Sequence, residues 1–248
     1  MMYDLQKASM WKRISAWLLD FILLVIVITG VAFAISSFLN YDETVAQYNA
    51  LQKQYIDEYG VDLSVTQPNE EQLAIRNQAD EAFRNDPEAV RLYGQTVSYR
   101  LIIVVFSVLL AYVLLEFVVP LLFGNGQTVG KKIFGIAVMR EDGVRLTPLA
   151  LFARAILGKY TIETMLPIML VLLMFDGTMG IIGTAVIAAL LISQIILVAA
   201  TKTNSAIHDK LAFTVAVDMA SQMIFDTPEE LLAYKKRMQA EKAEKAVY

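Results

Sequence analysis

The sequence predicts an all-α fold: a polytopic membrane helix bundle of about four transmembrane helices, with a helical extracytoplasmic insertion and a short cytoplasmic β-hairpin. Of the 248 residues, 56% are hydrophobic, and the mean hydropathy is +0.51. Soluble chains are about 45–50% apolar. The apolar residues also fall in long runs with few charges, and a run of about 20 is enough to cross a bilayer. Together these observations argue against an ordinary soluble enzyme.

The first apolar run, from Ile14 to Leu39, carries one charge, Asp20, and is long enough to span a bilayer. A cleaved signal peptide is the competing interpretation, because basic residues precede the run and a small-residue motif lies inside it (Lys7, Lys12 and Arg13; Ala32, Phe33 and Ala34). The run is longer than the apolar part of a signal peptide, and Asp20 interrupts it, so a spanning helix is favoured.

Three further spans are predicted downstream. The run from Leu101 to Phe123 contains Glu116 as its one charge and ends at a glycine-rich turn. The apolar stretch that follows later is long enough for two spans, Tyr160–Phe175 and Met179–Ala200, separated by a turn. Two acidic residues near the ends of these spans are expected to be interfacial and solvated: Glu163 and Asp176.

The distribution of charge predicts the orientation of the spans. Lysine and arginine are abundant before the first span, between the second and third, and after the last, which places these segments in the cytoplasm. The segment from Asn40 to Tyr99 holds four basic residues against eleven acidic ones, a net charge of -7, and belongs outside. Both chain termini are therefore expected to be cytoplasmic.

Apolar residues recur at helical spacing in two stretches of the insertion, Val45–Tyr59 and Leu73–Phe83. They predict two or three helices. One interpretation is a solvated helical hairpin, and the other is a docking surface for a protein partner with tyrosines as anchors. The predicted organisation is residues 1–39 (N-terminus and first span), 40–99 (insertion), 100–220 (membrane domain) and 221–248 (C-terminal helix).

The cytoplasmic segments predict two smaller elements. Residues Ile133–Met139 and Val144–Leu146 flank a turn with Gly143, which is typical of a β-hairpin. Thr147 and Pro148 then begin a basic amphipathic helix that runs to about residue 158 on the membrane surface. Near the end of the chain, residues 227–230 open a helix without a strong apolar stripe, which we expect to be solvated.

The amino-acid composition excludes several classes of catalytic and metal-binding site. The chain has no cysteine and one histidine, His208, so thiolate chemistry and Cys/His metal centres are excluded. Serine or threonine nucleophiles lack a convincing base, and the glycine-rich run 124–132 lacks the spacing of a phosphate loop. The net charge of -4 gives no attraction for nucleic acid. We expect no enzyme activity, no cofactor, no metal and no nucleic-acid partner.

Two carboxylates within the spans are the most informative residues. A charge in the hydrocarbon core costs about 2.5–3.5 kcal/mol and persists where it is paired, hydrated or useful. At 1.5 Å per residue, Asp20 and Glu116 both lie about 9–10 Å from the cytoplasmic edge. This depth allows a shared carboxylate pocket that holds a cation or a proton. The alternative is that each carboxylate accepts hydrogen bonds and only locks helix packing.

Three charged residues stand in motifs that resemble the RDD family of small bacterial membrane proteins, named for one arginine and two aspartates. Arg13 lies at the entrance of the first span, Asp20 lies within it, and Asp209 lies in the segment Ile207–Ala212. The segment 126–136 and Arg154 are also similar to the family. The resemblance covers residues 10–36 and 101–217 and departs from the family pattern at residue 213, a phenylalanine where glycine is usual.

The resemblance implies a multi-pass protein of the bacterial cell membrane, for which transport of ions or other ligands is suggested. It also places Asp209 near Arg13, with Asp20 above that arginine. The candidate ion- or proton-binding residues are therefore Asp20, Glu116, Arg13 and Asp209.

Two function hypotheses follow. The first is a cation or proton-coupled transporter that uses Asp20 and Glu116, and four spans are so few that it would require a homo-oligomer. The second is a non-transporting membrane adaptor or accessory subunit, which binds a partner through the insertion or the cytoplasmic hairpin. The lipid bilayer is a partner in both.

Cysteine substitution tests the predicted topology. An impermeant thiol reagent added outside should label Asp62→Cys in the insertion but not Lys236→Cys after the last span, because the two positions lie on opposite sides of the membrane. The chain has no cysteine of its own, so labelling reports only the introduced residue. Labelling of the Lys236→Cys variant from outside intact cells would contradict the topology.

Overall fold

The computed structural model describes residues 5–175 and 180–246. Four of its helices are long and apolar enough to cross a membrane: α1 (Met10–Leu39), α4 (Pro87–Phe123), α6 (Pro148–Met174) and α7 (Gly180–Ala200). Many of their apolar side chains are exposed, for example Ile181 at 89%, as expected of helices that face lipid. The prediction of a multi-pass membrane protein with about four spans is confirmed. The turn predicted at Asp176 lies outside the described residues.

Two of the spans contain π-helical segments, Val113–Val118 in α4 and Ala153–Met165 in α6. Such segments are rare in proteins, and those that occur often lie at functional sites. The first holds Glu116, and the second holds Arg154, Lys159 and Glu163. The irregular parts of the spans are therefore the parts that carry charge.

The prediction of a separate surface helix ending near residue 158 is wrong. Thr147 caps α6, since its side chain accepts a hydrogen bond from the Ala150 amide at 3.2 Å, but the helix then continues through Gly158 into the third span. The reason is that Arg154, one of the basic residues that predicted a surface helix, is buried. Arg154 is 3% exposed and pairs inside the protein instead of facing water, so nothing ends the helix at the membrane surface.

A two-stranded antiparallel sheet joins distant parts of the sequence. Strand β1 (Ile136–Arg140) pairs with strand β2 (Thr214–Asp218), with Val138 opposite Ala216. One face of the sheet packs on Ala8, which precedes α1, and on Ala16 near the start of α1. The sheet thereby holds the first turns of α1 close to the two segments that precede its strands, residues 129–133 and 207–211.

The predicted β-hairpin forms only in its turn. The Gly143 amide donates to the Arg140 carbonyl at 3.0 Å, and a single bridge follows between Met139 and Arg145. The full partner of β1 is β2, because both strands are buried over their first four residues, whereas Arg145 in the turn segment is exposed. Residue 133 belongs to the short helix α5 (Val129–Ile133), not to the strand.

The insertion contains two helices, α2 (Tyr41–Glu58) and α3 (Glu70–Asn85), as predicted. The rings of Tyr48 and Tyr55 lie 5.4 Å and 5.6 Å from the ring of Phe83. The Tyr55 hydroxyl donates to Asp86 at 2.7 Å, and this bond raises the pKa of Tyr55 to about 12. An aromatic core therefore holds the helical pair together.

The chain forms two compact units, Ile28–Ser107 in one and Met1–Val27 with Val108–Tyr248 in the other. The second unit also contains the short helix α8 (Ile207–Leu211) and the C-terminal helix α9 (Pro228–Ala246). The expectation that α9 is wholly solvated is wrong at its first turn, where Leu231 packs with Val144 and Phe225.

Gly130 is the point of closest approach between α5 and α1. A Cβ atom at this residue would lie 2.2 Å from the Ala16 carbonyl oxygen and 2.9 Å from Cγ of Asp20. We expect Gly130→Ala to lower the free energy of unfolding by about 1–3 kcal/mol or more, because backbone must move to admit the methyl group. Thermal or denaturant unfolding in detergent measures this change.

Gly94→Ala is the matched control for that substitution. Gly94 lies in the interior of α4, and a methyl group added there would have nothing within 4 Å, so alanine should be neutral or stabilise by up to about 1 kcal/mol. Equal effects of the two substitutions would contradict the close approach at Gly130.

Candidate functional site

A cavity of about 280 Å³ lies in the unit that contains residues 1–27 and 108–248. The acidic, basic and histidine residues that line it come from five helices and comprise four cations, four carboxylates and one histidine. All four candidate residues predicted from the sequence are among them. The full set is Arg13 and Asp20 (α1), Glu116 (α4), Lys131 (α5), Arg154, Lys159 and Glu163 (α6), and His208 and Asp209 (α8).

The most buried of these residues form an ion pair between α6 and α8. Nε and Nη2 of Arg154 donate to Oδ1 of Asp209 at 3.0 Å and 2.8 Å, and the two residues are 3% and 1% exposed. The Thr214 hydroxyl donates to the same oxygen at 3.1 Å, and the Ala206 amide donates to Oδ2 at 3.2 Å. Both oxygens of the carboxylate are thus hydrogen-bonded, as the burial of a charge requires.

Arg13 adds a third charge to this pair. Its Nη2 lies 3.8 Å from Oδ2 of Asp209, as the family resemblance implies. Burial alone would raise the pKa of Asp209, but Arg154, the hydrogen bond from the Ala206 amide and Arg13 hold it below its usual range. Asp209 therefore remains ionised at neutral pH.

His208 connects the pair to Glu163. Its ring Nδ1 lies 2.9 Å from the Glu163 carboxylate, and its Nε2 lies 3.2 Å from Nη2 of Arg154. Burial lowers the pKa of His208, against the opposing effects of Asp209 and Glu163, so the ring is neutral at pH 7. These partners assign the proton to Nδ1, which donates to Glu163, and leave Nε2 to accept from Arg154.

The expectation that Glu163 is solvated is wrong. Its side chain is 19% exposed and accepts hydrogen bonds from both the backbone amide and the ring of His208. Gly158 makes this contact possible, because a Cβ atom there would lie 2.6 Å from the His208 Cβ. The segment that contains the histidine is packed against α6, which sequence spacing does not reveal.

Asp20 is bound by the loop and short helix that follow α4. The Thr128 hydroxyl donates to Oδ2 of Asp20, and the Gly130 amide donates to Oδ1 at 2.7 Å. The ammonium of Lys131 lies 3.8 Å from Oδ2. The cation next to Asp20 is therefore this lysine, whereas Arg13 is turned to Asp209.

Glu116 pairs with a different lysine, Lys159. Nζ of Lys159 lies 2.6 Å from Oε1 of Glu116, across the two π-helical segments. Lys131 also interacts electrostatically with Glu116, so its ammonium is attracted by both intramembrane carboxylates. Burial first, and then the charge of Lys159, lower the pKa of Lys131 to about 8. Asp20 and Glu116 line one cavity, each beside a cation.

Five of the nine acidic, basic and histidine residues of the cavity were not among the predicted site residues: Lys131, Arg154, Lys159, Glu163 and His208. Of these, Arg154 was noted only as part of the family resemblance. One signal for the lysines was available. A carboxylate inside a span needs a cation, and basic residues close to the membrane edge are the natural candidates. No spacing rule connects them, because Lys159 is 43 positions from Glu116 in the sequence. Glu163 and His208 gave no such signal.

The four apolar helices and the buried, charge-balanced cavity define this protein as a multi-pass membrane protein with an ionisable centre. A family model described as RDD family matches residues 7–213, and the chain belongs to the RDD family. The resemblance inferred from Arg13, Asp20 and Asp209 is thereby confirmed. Comparison with curated proteins and with solved structures gave no match.

The departure from the family pattern at Phe213 has a structural counterpart. This residue has φ 53°, in the left-handed region, and its side chain is 71% exposed. Glycine adopts that conformation without steric cost. The turn between Asp209 and β2 therefore suits the glycine that the family pattern carries, and Phe213 adopts the same region without burying its ring.

Removal of the Asp209 charge should destabilise the protein strongly. We expect Asp209→Asn to cost on the order of 3–5 kcal/mol of unfolding free energy, because the buried Arg154 guanidinium loses its counter-charge. The matched control is Glu141→Gln, which breaks an exposed pair with Lys210 and should change stability by less than about 1 kcal/mol. Denaturant unfolding in detergent compares the two, and similar costs would contradict the assigned role of the buried pair.

Proposed function

We propose that this protein is a proton-coupled transporter of small cations, in which a cation and the protonated side chain of Lys131 compete for the same two carboxylates. One observation carries the proposal. The ammonium of Lys131 lies 3.8 Å from Asp20 inside a cavity that Glu116 also lines. A protonated amine in that position occupies the place of a bound cation.

Charge balance gives the exchange its stoichiometry. With His208 neutral, the four cations and four carboxylates of the cavity cancel. Loss of the Lys131 proton leaves one uncompensated negative charge, which is costly in a low-dielectric site. A monovalent cation restores the balance, so one proton exchanges for one cation.

Asp20 and Glu116 are suited to remain in place during the exchange. Asp20 keeps the hydrogen bonds from Thr128 and Gly130 when the lysine is neutral. Glu116 keeps its contact with Lys159. Both carboxylates therefore stay ordered, and only the occupant between them changes.

The proposed transporter has the orientation predicted from charge. Both termini lie in the cytoplasm, the insertion lies outside, and the cavity lies in the cytoplasmic half of the membrane. Four spans are few for a transport path, so we infer that the protein works as a homo-oligomer. Its reaction is transport, not covalent catalysis.

The second candidate function is a membrane adaptor that binds a protein partner through its insertion. A separate cavity of about 420 Å³ in the unit of residues 28–107 favours it, since aromatic rings line it and Tyr93 is 58% exposed. Exposed tyrosines are frequent anchors of protein interfaces. Cross-linking in native membranes separates the two functions, because a transporter captures copies of itself and an adaptor captures another protein.

Cation flux into proteoliposomes tests the proposed exchange. The rate should rise with pH through about 8, because Lys131 is protonated and occupies the carboxylates below its pKa and is neutral above it. Asp20→Asn should abolish flux in a folded protein. Lys131→Gln should remove the pH dependence.

Lys132→Gln is the matched control for these measurements. This neighbouring lysine is exposed and lies over the Phe123 ring at 3.7 Å, so its removal should leave both the rate and its pH dependence unchanged. Absence of flux of Na⁺ and of K⁺ above that of empty vesicles would overturn the transporter proposal. The same pH profile in the wild type and in Lys131→Gln would overturn the role of Lys131.

A further inference from the structure

The guanidinium of Arg13 is a largely buried cation, with its side chain 16% exposed. Among the residues that the structure describes, Nη1 of Arg13 has no hydrogen-bond partner although it is shielded from solvent. The contact with Asp209 is 3.8 Å, which is beyond hydrogen-bonding distance. A guanidinium carries five N–H donors, and native proteins rarely leave such donors buried and unsatisfied.

Among the described residues, no carboxylate of the cavity hydrogen-bonds the Arg13 guanidinium, and each of these carboxylates already accepts from another donor. Oδ1 of Asp209 accepts from Arg154 and Thr214, and Oδ2 accepts from the Ala206 amide. The other three carboxylates of the cavity are engaged by Lys159, His208 and the Thr128–Gly130 segment.

Charge at this end of the cavity is consequently positive. Arg13 and Arg154 share one carboxylate, Asp209, and His208 adds no negative charge. The two lysine–carboxylate pairs are balanced, and the negative charge that offsets Arg13 is that of Glu163, which contacts the neutral His208 ring. The cavity is neutral as a whole, but the surplus cation is Arg13.

We propose that Arg13 is the anion-binding end of this cavity and takes an oxyanion, either a phosphate group or a carboxylate. The planar fork of arginine matches two oxygens of such a group and is the preferred side chain for it. Arg13 lines a cavity of about 280 Å³, which leaves room for the oxyanion beside the guanidinium. The ligand supplies the acceptors that Nη1 lacks.

The oxyanion has two sources with the same chemistry. Arg13 is the fourth residue of α1, close to the end of a span, where lipid headgroups lie. A phospholipid headgroup and a free small anion can both present oxygens to it. This inference is independent of the proposed cation exchange, since binding is measured without flux.

Binding is tested with delipidated protein in a detergent that carries no phosphate. Inorganic phosphate, and in a separate arm short-chain phosphatidic acid, are titrated while the unfolding temperature is followed, with chloride at equal ionic strength as the reference. We expect a saturable rise in the unfolding temperature. Saturation by inorganic phosphate assigns a free anion, and saturation by the lipid alone assigns a headgroup.

Three variants connect the response to Arg13. Arg13→Gln should abolish the rise, and Arg13→Lys, which keeps the charge but loses the fork, should weaken binding at least tenfold. Arg140→Gln removes an exposed arginine paired with Asp142 and should respond as the wild type does. If Arg13→Gln does not fold, the affinity of Arg13→Lys for the two probes decides whether binding depends on Arg13.

Two results would overturn the anion site. One is the absence of a saturable rise with either probe in the wild type, since Arg13 would then be an unsatisfied donor with no ligand of this class. The other is an unchanged affinity in Arg13→Lys, because binding would then not depend on the guanidinium fork.

Discussion

The rest of the structure depends on the buried ion pair between Arg154 and Asp209. Two charges removed from water are costly, and the pair persists because the carboxylate is also bonded to Thr214 and Ala206. The pair fixes α6 against α8, and α8 leads directly into β2. Since β2 pairs with β1, and the sheet packs on Ala16, this one contact also positions the start of α1.

The cavity follows from the same constraint on buried charge. Each carboxylate in it lies beside a cation or a neutral donor, so the site carries several charges without a large net charge. The π-helical segments provide the local irregularity that brings Glu116 and Lys159 into contact.

Much of the fold could be predicted because it depends on local patterns. Runs of apolar residues identified the four spans, and helical spacing identified α2 and α3. The rarity of charge within spans identified Asp20 and Glu116, and motif resemblance added Arg13 and Asp209 as cavity residues. Which cation pairs with which carboxylate was not predictable. Lys131 and Lys159 lie in basic segments, and such segments are equally typical of a membrane surface.

The sequence by itself determined which parts enter the membrane and which carboxylates must be accommodated there, because transfer of apolar and charged groups between water and lipid depends on composition alone. Only the tertiary structure decided which cation meets which carboxylate and which strand pairs with Ile136–Arg140. Those choices join residues such as Glu116 and Lys159, or Arg154 and Asp209, that are far apart in the chain. Their energy depends on distance and burial, which only packing creates.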